Sequence, residues 1–176
     1  MDALIAPLDF DHDPNVVEAA SFSLLTLLET LPELRSDPSV LDNASVQDMA
    51  AMYRRGQDNP DHLYLMARVD GRAVGHAIAL MRTDADGVRH GYSYTRYVLP
   101  AHRRKGVAGA LLRAAGRWWI ERDAAYVTAH THATNTGLQA LFARAGFRET
   151  GRSAGKWDSV ALRCERVDLD RWVRAL

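Results

Sequence analysis

The feature that most constrains the fold is a change of period around Pro100. Before that proline the side chains alternate as in a β-strand, with Tyr92, Tyr94 and Arg96 interleaved with Ser93, Thr95 and Tyr97. Proline cannot donate to a sheet ladder and ends the run. After Arg103, Arg104, Lys105 and Gly106, the residues Val107, Leu111, Ala115 and Trp118, together with Ala108, Leu112 and Trp119, recur at helical spacing over about four turns. A short apolar strand, Ala125–Ala129, follows. Strand, helix and strand in this order predict a right-handed crossover between two parallel strands.

The flanking segments fill in an α/β chain. Asp13 before Pro14 reads as an N-cap with proline at the first helical position. The apolar set Val16, Val17, Ala20, Leu24, Leu27 and Leu28 extends that helix to Pro32. Ser45 with Asp48 resembles a capping box, and Val46, Met49, Met52 and Tyr53 share one helical face until Gly56. From His62 the pattern alternates, and Asp70-Gly71 supplies the positive φ angles of a tight hairpin. Asp84-Ala85-Asp86-Gly87 is a second turn, so three consecutive strands ending near Leu99 predict an antiparallel meander. Beyond the crossover, Leu138, Leu141, Phe142 and Ala145 mark a helix capped by Gly146. A strand over Phe147–Thr150, a last strand near Val160–Val167 and an amphipathic tail with Leu169, Trp172, Val173 and Leu176 complete the chain.

With 176 residues, 47% of them hydrophobic, one domain spanning 1–176 is expected. Lysine plus arginine and aspartate plus glutamate number 22 each, so no global field draws the chain to nucleic acid or a membrane surface, and any basic site must be local. No stretch approaches the roughly 20 apolar residues of a membrane span, and Met1–Pro7 has no basic leader. A single cysteine, Cys164, forms no internal disulfide and no cysteine zinc site, which points to a reducing, cytoplasmic setting.

The basic turn is the candidate binding feature. A pyrophosphate needs converging donors and no bulk in the way, and a helix N-terminus offers free amides and a favourable dipole. Arg103, Arg104, Lys105 and Gly106 precede a helix with no side chain bulkier than alanine at Ala108, Gly109 and Ala110. Alone, a basic triplet with a glycine is as easily a solvated loop, and no Lys-Ser or Lys-Thr makes it a Walker motif. The strand before it and the helix after it supply the context that phosphate binding requires.

On these residues the chain resembles the GNAT superfamily of N-acetyltransferases. Its signature of Gln or Arg, two residues, Gly, one residue, then Gly or Ala is matched by Arg103, Gly106 and Ala108. Tyr97-Val98-Leu99-Pro100 looks like the family's strand end, where backbone groups pair with the pantetheine arm. A second segment is matched by Asn135, Leu138, Leu141 and Ala145-Gly146-Phe147. The likeness spans roughly Val88 to Thr150. It implies a mixed, mostly antiparallel central sheet of about six to seven strands flanked by helices, with a splayed parallel pair. It also implies acetyl-CoA as cosubstrate, bound by Val98, Leu99, Arg103, Arg104, Lys105, Gly106, Val107, Ala108, Gly109 and Asn135.

Acetyl transfer to an amine needs a base for the ammonium, a donor for the developing oxyanion and a proton for the leaving sulfur. Many members place a tyrosine seven residues after the asparagine; here Phe142 stands there and reads as core. Five residues before Asn135, where some members carry a glutamate base, stands His130, and imidazole as a group exchanges protons near neutrality. Tyr94 is the reserve acid, with cross-strand packing its competing role. His132 beside His130 invites a metal reading, but no third ligand lies near, so no metal is expected. The resemblance brings the acceptor between Leu31–Ala44, with Glu33, Asp37 and Asp42, and Gly151–Ser159. The expected function is therefore transfer of acetyl to a primary amine of a small molecule, peptide or protein by direct attack in a ternary complex. A non-catalytic acyl-CoA-binding module is the alternative, made plausible by Phe142. Neither nucleic acid nor membrane is an expected partner, and a homodimer stays open.

Overall fold

The computed structural model describes residues 3–30, 45–154 and 158–175. They fall into two compact units, Met1–Ile78 with Thr95–Leu111, and Ala79–Tyr94 with Leu112–Leu176. Seven strands pair in the order β1-β2-β3-β4-β5-β7-β6: β1 (Leu4–Pro7), β2 (His62–Val69), β3 (Arg72–Thr83), β4 (Arg89–Val98), β5 (Tyr126–His132), β6 (Arg148–Ser153) and β7 (Ser159–Glu165). Among the described residues the α-helices are α1 (Asp13–Thr30), α2 (Val46–Gly56), α3 (Val107–Glu121), α4 (Thr136–Arg144) and α5 (Arg166–Arg174). β4 and β5 are the parallel pair; the rest of the mixed sheet is mostly antiparallel.

In the first unit, β1 runs antiparallel to β2 from Leu4 opposite Arg68 to Pro7 opposite Leu65. Nothing in the sequence marks this strand, because four residues ending in proline are too few to show a period. The β2–β3 hairpin turns on Asp70 (φ 49°) and Gly71 (φ 77°), the two positive angles that a type I′ turn requires. α2 begins with the predicted capping box, Ser45 accepting from the Asp48 amide and the Asp48 side chain accepting from the Ser45 amide. Val16, Ala20 and Phe22 of α1 and Tyr53 of α2 are buried in this unit with Val74 and His76 of β3.

In the second unit, Trp119 of α3 is fully buried, donates Nε1–H to the Leu80 carbonyl, and lies over Gly91. A Cβ at Gly91 would stand 2.7 Å from the indole, so the close approach of ring to strand depends on glycine there. Val127, Ala129, Val160, Leu162 and Cys164 are among the buried positions of β5 and β7, and Phe142 packs on Phe147 with ring centroids 4.6 Å apart. β5 extends three residues beyond the predicted Ala129, because it pairs with β7 all the way to His132 opposite Ser159. Its parallel ladder with β4 pairs Gly91, Tyr92 and Ser93 with Val127, Thr128 and Ala129.

Candidate functional site

The basic turn lies in the first unit. β4 ends at Val98, and a single 3-10 turn, Pro100–His102, leads to Arg103. Arg104 then takes a left-handed φ of 62° and Gly106 one of 84°. α3 therefore starts at Val107, directly after this turn. A left-handed conformation at a residue with a Cβ costs about 1–2 kcal/mol, so the turn is held rather than relaxed.

That backbone path leaves donors in a row. The first helical bond runs from the Ala110 amide to the Gly106 carbonyl at 2.9 Å, and among the described residues the amides of Gly106, Val107, Ala108 and Gly109 donate to no backbone carbonyl. Four amides without backbone partners at the positive end of a 15-residue helix have the donors and dipole that can hold an anion. Arg104, Lys105 and Gly106 are exposed, and nothing lies within 4 Å of where a Gly106 Cβ would be. Ala108, Gly109 and Ala110 are half-buried and small, so no long side chain of this first turn stands over the amides. Among the described residues neither Arg104 nor Lys105 has an ion-pair partner.

Arg103 is placed differently from its two neighbours. Its Nε donates to the Val98 carbonyl at 2.8 Å, and its Nη2 donates to Glu29 of α1 at 2.6 Å. The other oxygen of Glu29 accepts the Tyr97 hydroxyl at 2.7 Å. Burial, and after it the Glu29 carboxylate, pushes the Tyr97 phenol up to about 12, so it stays a donor. Sequence reasoning missed Glu29, which stands 74 residues from Arg103 with no local pattern to join them.

The candidate chemical groups lie in the second unit. Tyr92 pairs with Thr128 in the parallel register, so Tyr92, Thr128 and His130 share one sheet face, while Ser93, Ala129 and Thr131 are buried on the other. The His130 ring stands 6.0 Å from that of Tyr92, and the Arg82 guanidinium covers Tyr92 at 3.6 Å. Tyr94 is 46% exposed, and its ring lies 6.2 Å from Tyr92. The tyrosine brought against His130 is thus Tyr92, with Tyr94 one step further along the strand. His132 is tied up with Thr134, Nδ1 to Oγ1 at 2.8 Å, and among the described residues no group of three or more His, Cys, Asp or Glu side chains is arranged to hold a metal.

Asn135 caps α4, its Oδ1 accepting the Leu138 amide at 3.2 Å. It is exposed, and its amide nitrogen is the donor left for another partner. Phe142 is fully buried, in line with its reading as core. Burial also pushes the Cys164 thiol up to about 12, which makes it a poor nucleophile. Trp172 packs under the Arg113 guanidinium at 4.7 Å, and Trp118 and Trp119 are buried. The acceptor segment 31–44, with Glu33, Asp37 and Asp42, lies outside the described residues, as do residues 155–157 of the second acceptor segment. No helix among the described residues is long and apolar enough to cross a membrane.

Comparison with known proteins bears on this geometry. The family model described as "Acetyltransferase (GNAT) family" matches residues 28–147. An aminoglycoside N(6')-acetyltransferase type 1 of Salmonella typhimurium is 34% identical over 97 residues, which is 52% of this chain and 67% of that protein. Among solved structures, the PaiA N-acetyltransferase of Thermoplasma acidophilum in complex with coenzyme A superposes with a TM-score of 0.70 at 18% identity, over 94% of this chain and 99% of that one. YncA, a putative acetyltransferase from Salmonella typhimurium with its cofactor acetyl-CoA, gives 0.64 at 17% identity, over 93% and 94%.

Proposed function

The chain belongs to the acetyltransferase (GNAT) family, and from that premise we propose that it moves an acetyl group from acetyl-coenzyme A to a primary amine by direct attack within a ternary complex. The observation that carries the cofactor assignment is the row of free amides over Gly106–Gly109 beside the exposed Arg104 and Lys105. Amides and cations converging on open space fit a pyrophosphate, whose charge is otherwise too costly to desolvate. Val98 and Leu99 would pair with the pantetheine arm, and the Asn135 amide nitrogen would donate to it. Acetyl-coenzyme A, when bound, supplies an acyl group activated as a thioester.

The protein's own groups have three tasks. His130, exposed beside Tyr92, accepts a proton from the acceptor ammonium so that a neutral amine attacks. The neutral amine would add to the thioester carbonyl, forming the C–N bond and an oxyanion; as the adduct collapses the C–S bond breaks, the nitrogen loses its remaining extra proton to water, and the departing sulfur needs a proton. The Tyr94 hydroxyl is exposed enough to give one, directly or through water. Backbone amides at the end of β4 would stabilise the oxyanion. The aminoglycoside relative supports an amine on a small molecule as the first acceptor class to test.

The buried Phe142 favours one alternative, a module that binds acyl-coenzyme A without turnover. Following free thiol with acetyl-coenzyme A and a panel of aminoglycosides, polyamines and peptide N-termini separates the two. Amine-dependent release above the hydrolysis blank supports the enzyme. Tight cofactor binding with no release for any amine supports the module.

A further inference from the structure

Resting on the cofactor assignment above, we propose that Glu29 is a positioning residue for the cofactor. In this reading its carboxylate holds Arg103 as a strut under the basic turn, and the cationic contacts to the pyrophosphate fall to Arg104 and Lys105 instead. Arg103 makes two directed bonds, to the Val98 carbonyl at 2.8 Å and to Glu29 at 2.6 Å. Both partners lie on the protein side of the turn, the end of β4 and the last turn of α1. With Nε held by a carbonyl and Nη2 by a carboxylate, the guanidinium keeps only its Nη1 hydrogens and one Nη2 hydrogen for any other partner, and its plane is fixed by the protein. The other two cations of the turn have no competing partner among the described residues.

The strut has a mechanical purpose. The residue after Arg103 is Arg104 at φ 62°, a conformation that its surroundings must enforce. Fixing Arg103 at both Val98 and Glu29 fixes where the left-handed step begins, and hence where the amides of Gly106–Gly109 converge. Tyr97 completes the anchor. It is buried, it donates to the second Glu29 oxygen at 2.7 Å, and the Arg103 guanidinium lies 5.4 Å from its ring centroid. Glu29 also stands in the last described turn of α1, so the anchor joins that helix to the cofactor turn.

A carboxylate near a phosphate site has an opposite reading, in which Glu29 competes with the cofactor for Arg103. The two differ in sign. Coenzyme A affinity is measured by titration calorimetry for the wild type, Glu29→Gln, Arg103→Lys, Arg103→Ala and Glu29→Gln/Arg103→Ala. Turnover of S-acetylpantetheine, which lacks the pyrophosphate, is followed in parallel. The strut predicts that Glu29→Gln and Arg103→Lys each weaken coenzyme A binding about tenfold, the loss of one charge-assisted anchor. The double variant should be no weaker than Arg103→Ala, and S-acetylpantetheine turnover should hold in Glu29→Gln. Tighter or unchanged coenzyme A binding in Glu29→Gln overturns the proposal. So do independent, multiplying losses in the double variant, or an equal loss with S-acetylpantetheine. A wild type that does not bind coenzyme A fails the function assignment instead, a distinct outcome.

Discussion

Lowering the pH from 7.5 to 5.0 should cost the folded protein about 2 kcal/mol through one side chain, His76. This histidine is 1% exposed on β3, with the Phe22 ring centroid 5.8 Å away and the Tyr53 hydroxyl 3.5 Å from Nδ1. Tyr53 in turn hydrogen-bonds Ser23. Among the described residues Nε2 has no hydrogen-bond partner. Burial, reinforced by the Arg96 charge, holds its pKa down at about 3, against 6.5 for an unperturbed histidine. The imidazole is therefore neutral in the fold, while the unfolded chain takes up a proton as the pH falls through 6.5. Stability is fully present above that value and is lost on the way down toward 3, by about 1.4 kcal/mol per pH unit. Between 7.5 and 5.0 this integrates to about 2 kcal/mol, and a folded-state value one unit higher would change it little. Urea unfolding followed by tryptophan fluorescence at several pH values, for wild type and His76→Gln, isolates the effect. The wild type should lose about 2 kcal/mol more than the variant across that interval. Parallel losses would mean that His76 is solvated or protonated in the folded state, and would refute the reasoning.

Other perturbations test the remaining parts. Gly106→Val should weaken coenzyme A binding by about tenfold or more, because a β-branched residue resists a φ of 84° even though the space beyond it is open; unaltered calorimetric affinity would mean that the turn tolerates rearrangement. His130→Ala should lower kcat and change the shape of its pH profile while leaving coenzyme A affinity intact, and superimposable profiles would remove the base assignment. Gly91→Ala should destabilise the fold by about 1–3 kcal/mol in chemical denaturation, since its methyl would meet the Trp119 ring at 2.7 Å; a neutral substitution would show that the indole can move.

What the sequence made legible follows physical range. The Asp70-Gly71 hairpin, the Ser45–Asp48 capping box and the crossover from β4 through α3 to β5 are local patterns, and each appears where periodicity and turn chemistry put it. The turn at Arg103–Gly106 was legible as a donor cluster for the same reason. Other features depend on partners distant in sequence. Which tyrosine of β4 meets His130 is decided by the register of Tyr92 with Thr128, and alternation alone offers Tyr92 and Tyr94 equally. The hold of Glu29 on Arg103 and the burial of His76 against Phe22 and Tyr53 require α1, α2 and β3 to be folded first. β1 is recognisable only by its pairing with β2.

The central claim is that the turn preceding α3 holds the pyrophosphate of coenzyme A, and a crystal structure of the complex tests it most directly. Pyrophosphate oxygens are expected about 2.7–3.2 Å from the amides of Gly106–Gly109, with Arg104 and Lys105 closing over them and Arg103 still on Glu29. Phosphates seated against other residues, with those amides facing only solvent, would contradict it.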